Sequence, residues 1–160
     1  MTTSAAIPTP VTIRTAAPNR RAAASAMTVS YHGPRPKDDV SYPYFDTLTG
    51  LAEGSDFLVV CCPGGPETRH IVDRAVLKAL GPEGFLVNVA RASIVDTEAL
   101  IDALRDRVIA GAAIDVYDAE PDIPDAPKAL DNVVLTPHIS GNADDATQAK
   151  YLLYMENMRA

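Results

Sequence analysis

No glycine precedes Gly33 in this 160-residue chain, and no aspartate or glutamate appears in its first 37 residues. Tryptophan is absent, and the only two cysteines, Cys61 and Cys62, stand side by side inside an apolar run. Each shortage excludes something. Without an early glycine-rich turn, the N-terminal segment lacks a loop whose bare backbone can approach a phosphate closely. Adjacent cysteines have neither the spacing of a metal or redox motif nor enough partners for a disulfide framework; they read as buried strand thiols in a reducing compartment. No apolar run approaches the roughly 20 residues that a membrane-spanning helix needs. Lys and Arg number 14 against 21 Asp and Glu, and the resulting net charge of −7 argues against non-specific nucleic-acid binding. The acid-free start is rich in Ala, Thr and Pro and carries Arg14, Arg20 and Arg21. That composition fits an organellar transit peptide or an altered, disordered N-terminus. The second is favoured, with a cytoplasmic location, because Arg20 to Met27 also reads as a helix feeding a strand.

What remains is ordinary for one globular domain, with 47% hydrophobic and 22% charged residues. Four apolar runs read as strands buried on both faces: Thr28 to His32, Asp56 to Cys61, Phe85 to Ala90 and Val133 to Thr136. Ala110 to Tyr117 is a fifth, rich in small residues. Helical patterns separate them. Asp73 to Leu80 stops at the Gly81-Pro82 breaker. Asp96 to Arg107 opens on an N-cap and sets Leu100, Ile101 and Leu104 on one face. A last helix begins near Ala143, with Tyr151, Leu152 and Met155 as its apolar stripe. Ala119 to Asp131, rich in Pro and Asp, is a loop. Strands alternating with helices predict a Rossmann-like, doubly wound parallel α/β sheet, incomplete at its N-terminal βα unit.

Ligands of such sheets bind beyond the carboxyl ends of the strands. Arg91 follows the third run, Glu120 the small-residue run, and Pro137-His138 the last. One cation, one carboxylate and one imidazole can therefore converge on one crevice. A planar guanidinium suits a substrate carboxylate, and an imidazole suits proton delivery near neutral pH. A neighbouring carboxylate favours the imidazolium. Taken singly, an Arg after a strand is more often a surface ion-pair former, a Glu before Pro is usually solvated, and a His after Pro is usually structural. Their shared placement is what raises the functional reading.

The local sequences carry it further. Asn88 to Leu104 (NVARASIVDTEALIDAL) resembles the signature of the D-isomer-specific 2-hydroxyacid dehydrogenases. Ile109 to Pro121 (IAGAAIDVYDAEP) and Asn132 to Gly141 (NVVLTPHISG) resemble the two segments that follow it in that family. Cys61 to Asp73 (CCPGGPETRHIVD) is similar to the form seen in hydroxypyruvate and glyoxylate reductases. The resemblance runs from Met27 to the C-terminus. It implies an oxidoreductase that interconverts 2-keto and 2-hydroxy acids with NADP or NAD. Arg91 would bind the substrate carboxylate, His138 would be the acid/base, and Glu120 would pair with it. Cofactor contacts would come from Cys62, Pro63 and Thr68 on the adenosine side and from Val89, Ala90, Arg91, Asp115, His138 and Gly141 near the nicotinamide. Asp115 would meet the carboxamide. Ala92 stands where the family usually has Gly, a mild departure beside Arg91.

The ribose end is read from the residues themselves. An acidic residue usually follows this strand in NAD enzymes, whereas here His32-Gly33-Pro34-Arg35-Pro36-Lys37 follows it. Arg35 suits a 2′-phosphate and favours NADP, the alternative being a solvated basic turn. Upstream of Arg20 the family register is lost. Pro10 to Pro18 stands where the glycine loop belongs, from which a truncated or altered start is expected, and the family's separate substrate domain is expected to be absent from these residues. The expected division is therefore 1–26 irregular, 27–142 nucleotide-binding domain and 143–160 the start of a C-terminal helix. Expected partners are a small 2-keto or 2-hydroxy acid and a second copy in a homodimer, with no metal, nucleic acid or membrane. Weak or no turnover is expected of the isolated chain. The competing reading is a non-catalytic nucleotide-binding or dimerisation remnant.

Overall fold

In the computed structural model, which describes residues 10–13, 22, 26–38, 40–141 and 144–158, the apolar runs join one parallel sheet. Its strands are β1 (Pro10–Ile13), β2 (Ser30–His32), β3 (Phe57–Val60), β4 (Phe85–Asn88), β5 (Gly111–Ile114) and β6 (Val133–Leu135). They lie in the order β2-β1-β3-β4-β5-β6, and all pairs are parallel. The chain goes outward from β1 to β2, then returns past β1 to β3. The winding therefore reverses between β1 and β3, the place where such sheets open a crevice.

Strand β1 corrects the expectation of an irregular segment over residues 1–26. A short Pro-Val-Thr-Ile run carries little pattern of its own, and no glycine turn follows to announce it. Pairing on both sides, with β2 and with β3, holds it inside the sheet, one strand from the edge. Pro10 is tolerated because it opens the strand, where its missing N–H matters least. The residues after β1, including most of the expected Arg20 to Met27 helix, lie outside the described residues.

Helices α1 (Leu48–Glu53), α2 (Arg74–Leu80), α3 (Thr97–Arg105), α4 (Asp125–Lys128) and α5 (Asp144–Asn157) flank or follow the strands. Thr47, Asp73 and Asp96 cap the first three, each accepting from backbone N–H groups of the first turn. Gly81 ends α2 at φ +77, a left-handed conformation that glycine adopts without strain. Helix α1 gave no clear periodicity in the sequence, being only six residues long. Helix α4 interrupts the stretch expected as loop. The core forms where α1, α2 and α3 meet the sheet, with Leu51, Leu58, Leu77, Leu86, Ile94 and Leu104 fully buried. The stripe expected on α5 is not buried. Tyr151 and Leu152 are 61% and 59% exposed.

The register sets the functional edge. His32 pairs with Ile13, Ile13 with Val60, Val60 with Asn88, Asn88 with Ile114, and Ile114 with Leu135. The strands thus end in one row, and the residues that follow them emerge along one rim. Leu86 lies in the central β4 with no exposure. Replacing it with Ala is expected to cost about 2–5 kcal/mol, measured by urea unfolding. A loss below about 1 kcal/mol would contradict this packing.

Candidate active site

Three strand exits at this rim carry the expected triad. The first exit is built by Asn88, the last residue of β4 and a buried polar side chain at 2% exposure. Its Oδ1 accepts from Ala90 N at 3.1 Å, and its Nδ2 donates to the Arg91 carbonyl at 3.0 Å. The carboxamide satisfies itself by closing the turn that presents Arg91. Arg91 is exposed, and its Nη1 donates to the Ala90 carbonyl at 2.6 Å. Gly64 leaves room for this side chain, since a Cβ there would lie 2.9 Å from Arg91 Cγ.

The exits of β5 and β6 meet directly. His138 Nδ1 lies 2.8 Å from Glu120 Oε2. Glu120 Oε1 accepts from the Tyr117 backbone N–H at 3.0 Å. That amide first, and then the His138 contact, hold the Glu120 carboxyl below its ordinary value, with the charges of His138 and Arg91 adding to the effect. Arg91, Glu120 and His138 therefore share one electrostatic neighbourhood. With Nδ1 engaged, Nε2 is the nitrogen that the imidazole can offer to a ligand. His138 sits at φ +55, a left-handed conformation that costs a side-chain-bearing residue about 1–3 kcal/mol. Something must hold it there.

Asp115 does much of that work. It is 2% exposed, and its oxygens accept from Thr136 Oγ1, from Ile139 N at 2.9 Å and from Ser140 N at 3.0 Å. Burial pushes its carboxyl up, but the hydrogen bonds from Ser140, Thr136 and Ile139 outweigh burial and bring it down to about 2. The carboxylate lies under the His138 loop. Gly141 closes the loop and is exposed.

The remaining predicted residues fall into two groups along the rim. Cys62, Pro63 and Thr68 line a cleft of about 720 Å³ at the ends of β2 and β3, together with His32, Pro34 and Ile71. Its size is that of a small-molecule or cofactor site. Thr68 Oγ1 donates to the Pro63 carbonyl at 2.8 Å and braces the loop. Arg35 is exposed and directly follows Pro34 at the mouth. Val89 and Ala90 belong to the other end, beside Arg91, with Val89 36% exposed and Ala90 buried. Five strand gaps of about 4.8 Å separate the rim's two ends, so an extended dinucleotide fits along it. The sequence reading missed Ile71, Gly64, Asn88 and Tyr117. Only Asn88 carried a signal, as a polar residue closing the apolar run FLVN. Among the described residues, no cluster of His, Cys, Asp and Glu could hold a metal ion, and no helix is long and apolar enough to cross a membrane.

Comparison with known proteins gives the family. Residues 15–140 match the model of the D-isomer specific 2-hydroxyacid dehydrogenase NAD binding domain, and the chain belongs to that family. It is 42% identical over 141 residues to a glyoxylate/hydroxypyruvate reductase of Arabidopsis thaliana, covering 88% of this chain and 45% of that protein. To a hydroxyphenylpyruvate reductase of Plectranthus scutellarioides it is 39% identical, with the same coverage of 88% and 45%. Among solved structures, the NADPH-dependent glyoxylate/hydroxypyruvate reductase of Sinorhizobium meliloti, in complex with NADP and malonate, superposes with a TM-score of 0.87 at 37% identity. That match covers 98% of this chain and 50% of the other. The chain spans about half the length of the curated relatives it matches.

Asp115 also predicts an acid limb. Its folded value of about 2 lies below the ordinary 3.8, so its contribution to stability is complete above about pH 4 and is lost as pH falls through about 2. Acid unfolding followed by circular dichroism is expected to steepen over that window. Asp115→Asn is expected to lower stability at neutral pH and flatten the limb. An unchanged limb in the variant would contradict the hydrogen bonding described.

Proposed function

We propose that this chain carries the reducing site of an NAD(P)-dependent 2-hydroxyacid dehydrogenase acting on a small 2-keto acid of the hydroxypyruvate or glyoxylate type. The observation that carries the proposal is the Glu120–His138 contact at the strand ends, with the Arg91 charge close enough to act on Glu120. Arg91 would hold the keto acid's carboxylate through its guanidinium fork. His138 would deliver a proton from Nε2 to the carbonyl oxygen, and Glu120 would keep the imidazole oriented through Nδ1. The nicotinamide cofactor supplies the hydride when bound. Residues for holding it are Cys62, Pro63 and Thr68 in the cleft and Val89, Ala90, Arg91, Asp115, His138 and Gly141 along the rim. The cleft's position at the winding reversal supports this, as does its size.

Arg35 supports NADP over NAD. Its exposed side chain directly follows Pro34 at the mouth of the cleft, and the Sinorhizobium meliloti relative is described with NADP. A homodimer, a cytoplasmic location and a nucleotide-binding domain that takes in β1 at Pro10–Ile13 and runs to about residue 142 complete the proposal.

Two tests follow. Hydroxypyruvate and glyoxylate reduction by the isolated chain is expected to be slow. His138→Ala and Arg91→Ala should each lower it by about 10²-fold or more, read from NADPH absorbance in single-turnover assays. Turnover unaffected by either substitution would refute the assignment. Tight NADPH binding with no turnover would instead favour a nucleotide-binding module. In fluorescence titrations, Arg35→Ala should weaken NADPH binding by about tenfold, equivalent to about 1.4 kcal/mol, and leave NADH unchanged. Equal loss for both nucleotides would remove Arg35 from the 2′-phosphate.

A further inference from the structure

One residue reaches both partners of the imidazole–carboxylate pair. Tyr117 follows β5 by three residues and is half-buried. Its backbone N–H donates to Glu120 Oε1 at 3.0 Å. Its hydroxyl sits between two carbonyl oxygens, 2.8 Å from Ile114 O and 3.0 Å from Thr136 O. The single phenolic proton is shared between them. Thr136 O is also the acceptor for the His138 backbone N–H, at 3.0 Å. A continuous chain therefore runs from the Tyr117 hydroxyl through the Thr136 carbonyl to the His138 backbone, while the Tyr117 amide holds the carboxylate that faces the same imidazole.

We infer that Tyr117 is a positioning residue that sets the Glu120–His138 geometry, holding Glu120 by its amide and the His138 turn by its hydroxyl. The role rests on the reading of His138 as proton donor, but the structural need is independent of it. His138 is held in a left-handed conformation and is itself exposed, so packing cannot keep its ring in place. Asp115 anchors the loop at Thr136 Oγ1 and beyond His138, at Ile139 and Ser140. Tyr117 is the anchor on the Thr136 carbonyl, immediately before Pro137. With both anchors in place, Nδ1 points at Glu120, and the neutral imidazole must keep its proton there. Loss of the Tyr117 hydroxyl frees the turn and releases that tautomer.

The test reads the tautomer directly. Long-range proton–nitrogen spectra of the 15N-labelled full chain, recorded where the imidazole is neutral, distinguish a proton on Nδ1 from one on Nε2. The wild-type chain is expected to show the Nδ1–H form of His138. Glu120→Ala removes the acceptor and marks the released limit. Tyr117→Phe keeps the ring and the amide, and its His138 signals should move most of the way to that limit. The His138 backbone amide should exchange with solvent about tenfold faster, as expected for a loosened local turn. Wild-type-like nitrogen shifts in a folded Tyr117→Phe chain would overturn the proposal. A crystal structure of the wild-type chain with the hydroxyl out of reach of Thr136 O would overturn it without any variant. These spectra need no substrate. Turnover unaffected by His138→Ala would sink the reductase reading and leave this result standing.

Discussion

A buried carboxylate under a surface loop organises this site. Asp115 is withdrawn from water, and an uncompensated charge there would be strongly destabilising. It is matched by the Thr136 hydroxyl and by two backbone N–H groups from Ile139 and Ser140. Those donors come from the loop that carries His138 in a conformation its side chain disfavours. The burial of Asp115 and the strain at His138 are therefore one arrangement. The loop satisfies the charge, and the charge fixes the loop. Glu120 then meets an imidazole whose backbone has little freedom left.

The same edge is assembled by the sheet rather than by any one loop. Parallel pairing with aligned ends brings six chain exits to one rim. Residues at positions 35, 62, 91, 120 and 138 are distant in sequence and become neighbours along that rim only because the strands stop in register. The reversal of winding between β1 and β3 opens the wider cleft at one end. The polar triad occupies the other. A long anionic ligand lying along the rim would place one end beside Arg35 and the other beside His138, which suits the family to which the chain belongs.

Much of this could be read from the residues. The runs FLVV, FLVN and VVL announce strands, and the positions just after the strands mark Arg91, Glu120 and His138; burial on both faces was expected of VVL too, but β6 is an edge strand and its Val134 is 63% exposed. Asp73 and Asp96 announce their helices because a cap is a local, one-residue signal. What escaped the reading depends on pairing in space. Strand β1 is four residues long and owes its place to two neighbours. Tyr117 looks like any residue at the end of a strand until its hydroxyl is seen between two carbonyls. Asp115 was read as a nicotinamide contact, but its hydrogen bonds to Thr136, Ile139 and Ser140 come with the pairing of β5 and β6, which no local pattern encodes. The stripe of α5 shows the opposite error. Tyr151 and Leu152 have the spacing of a buried face, yet remain exposed.

Mapping NADPH onto the 15N-labelled chain by amide chemical-shift perturbation tests the central claim most directly, because it locates the ligand whether or not the chain turns over. The account predicts shifts confined to the rim: residues 32–35, 62–68, 89–91, 115 and 138–141, with α3 and the amino ends of the strands unmoved. Shifts centred elsewhere, or none at saturating nucleotide, would contradict it.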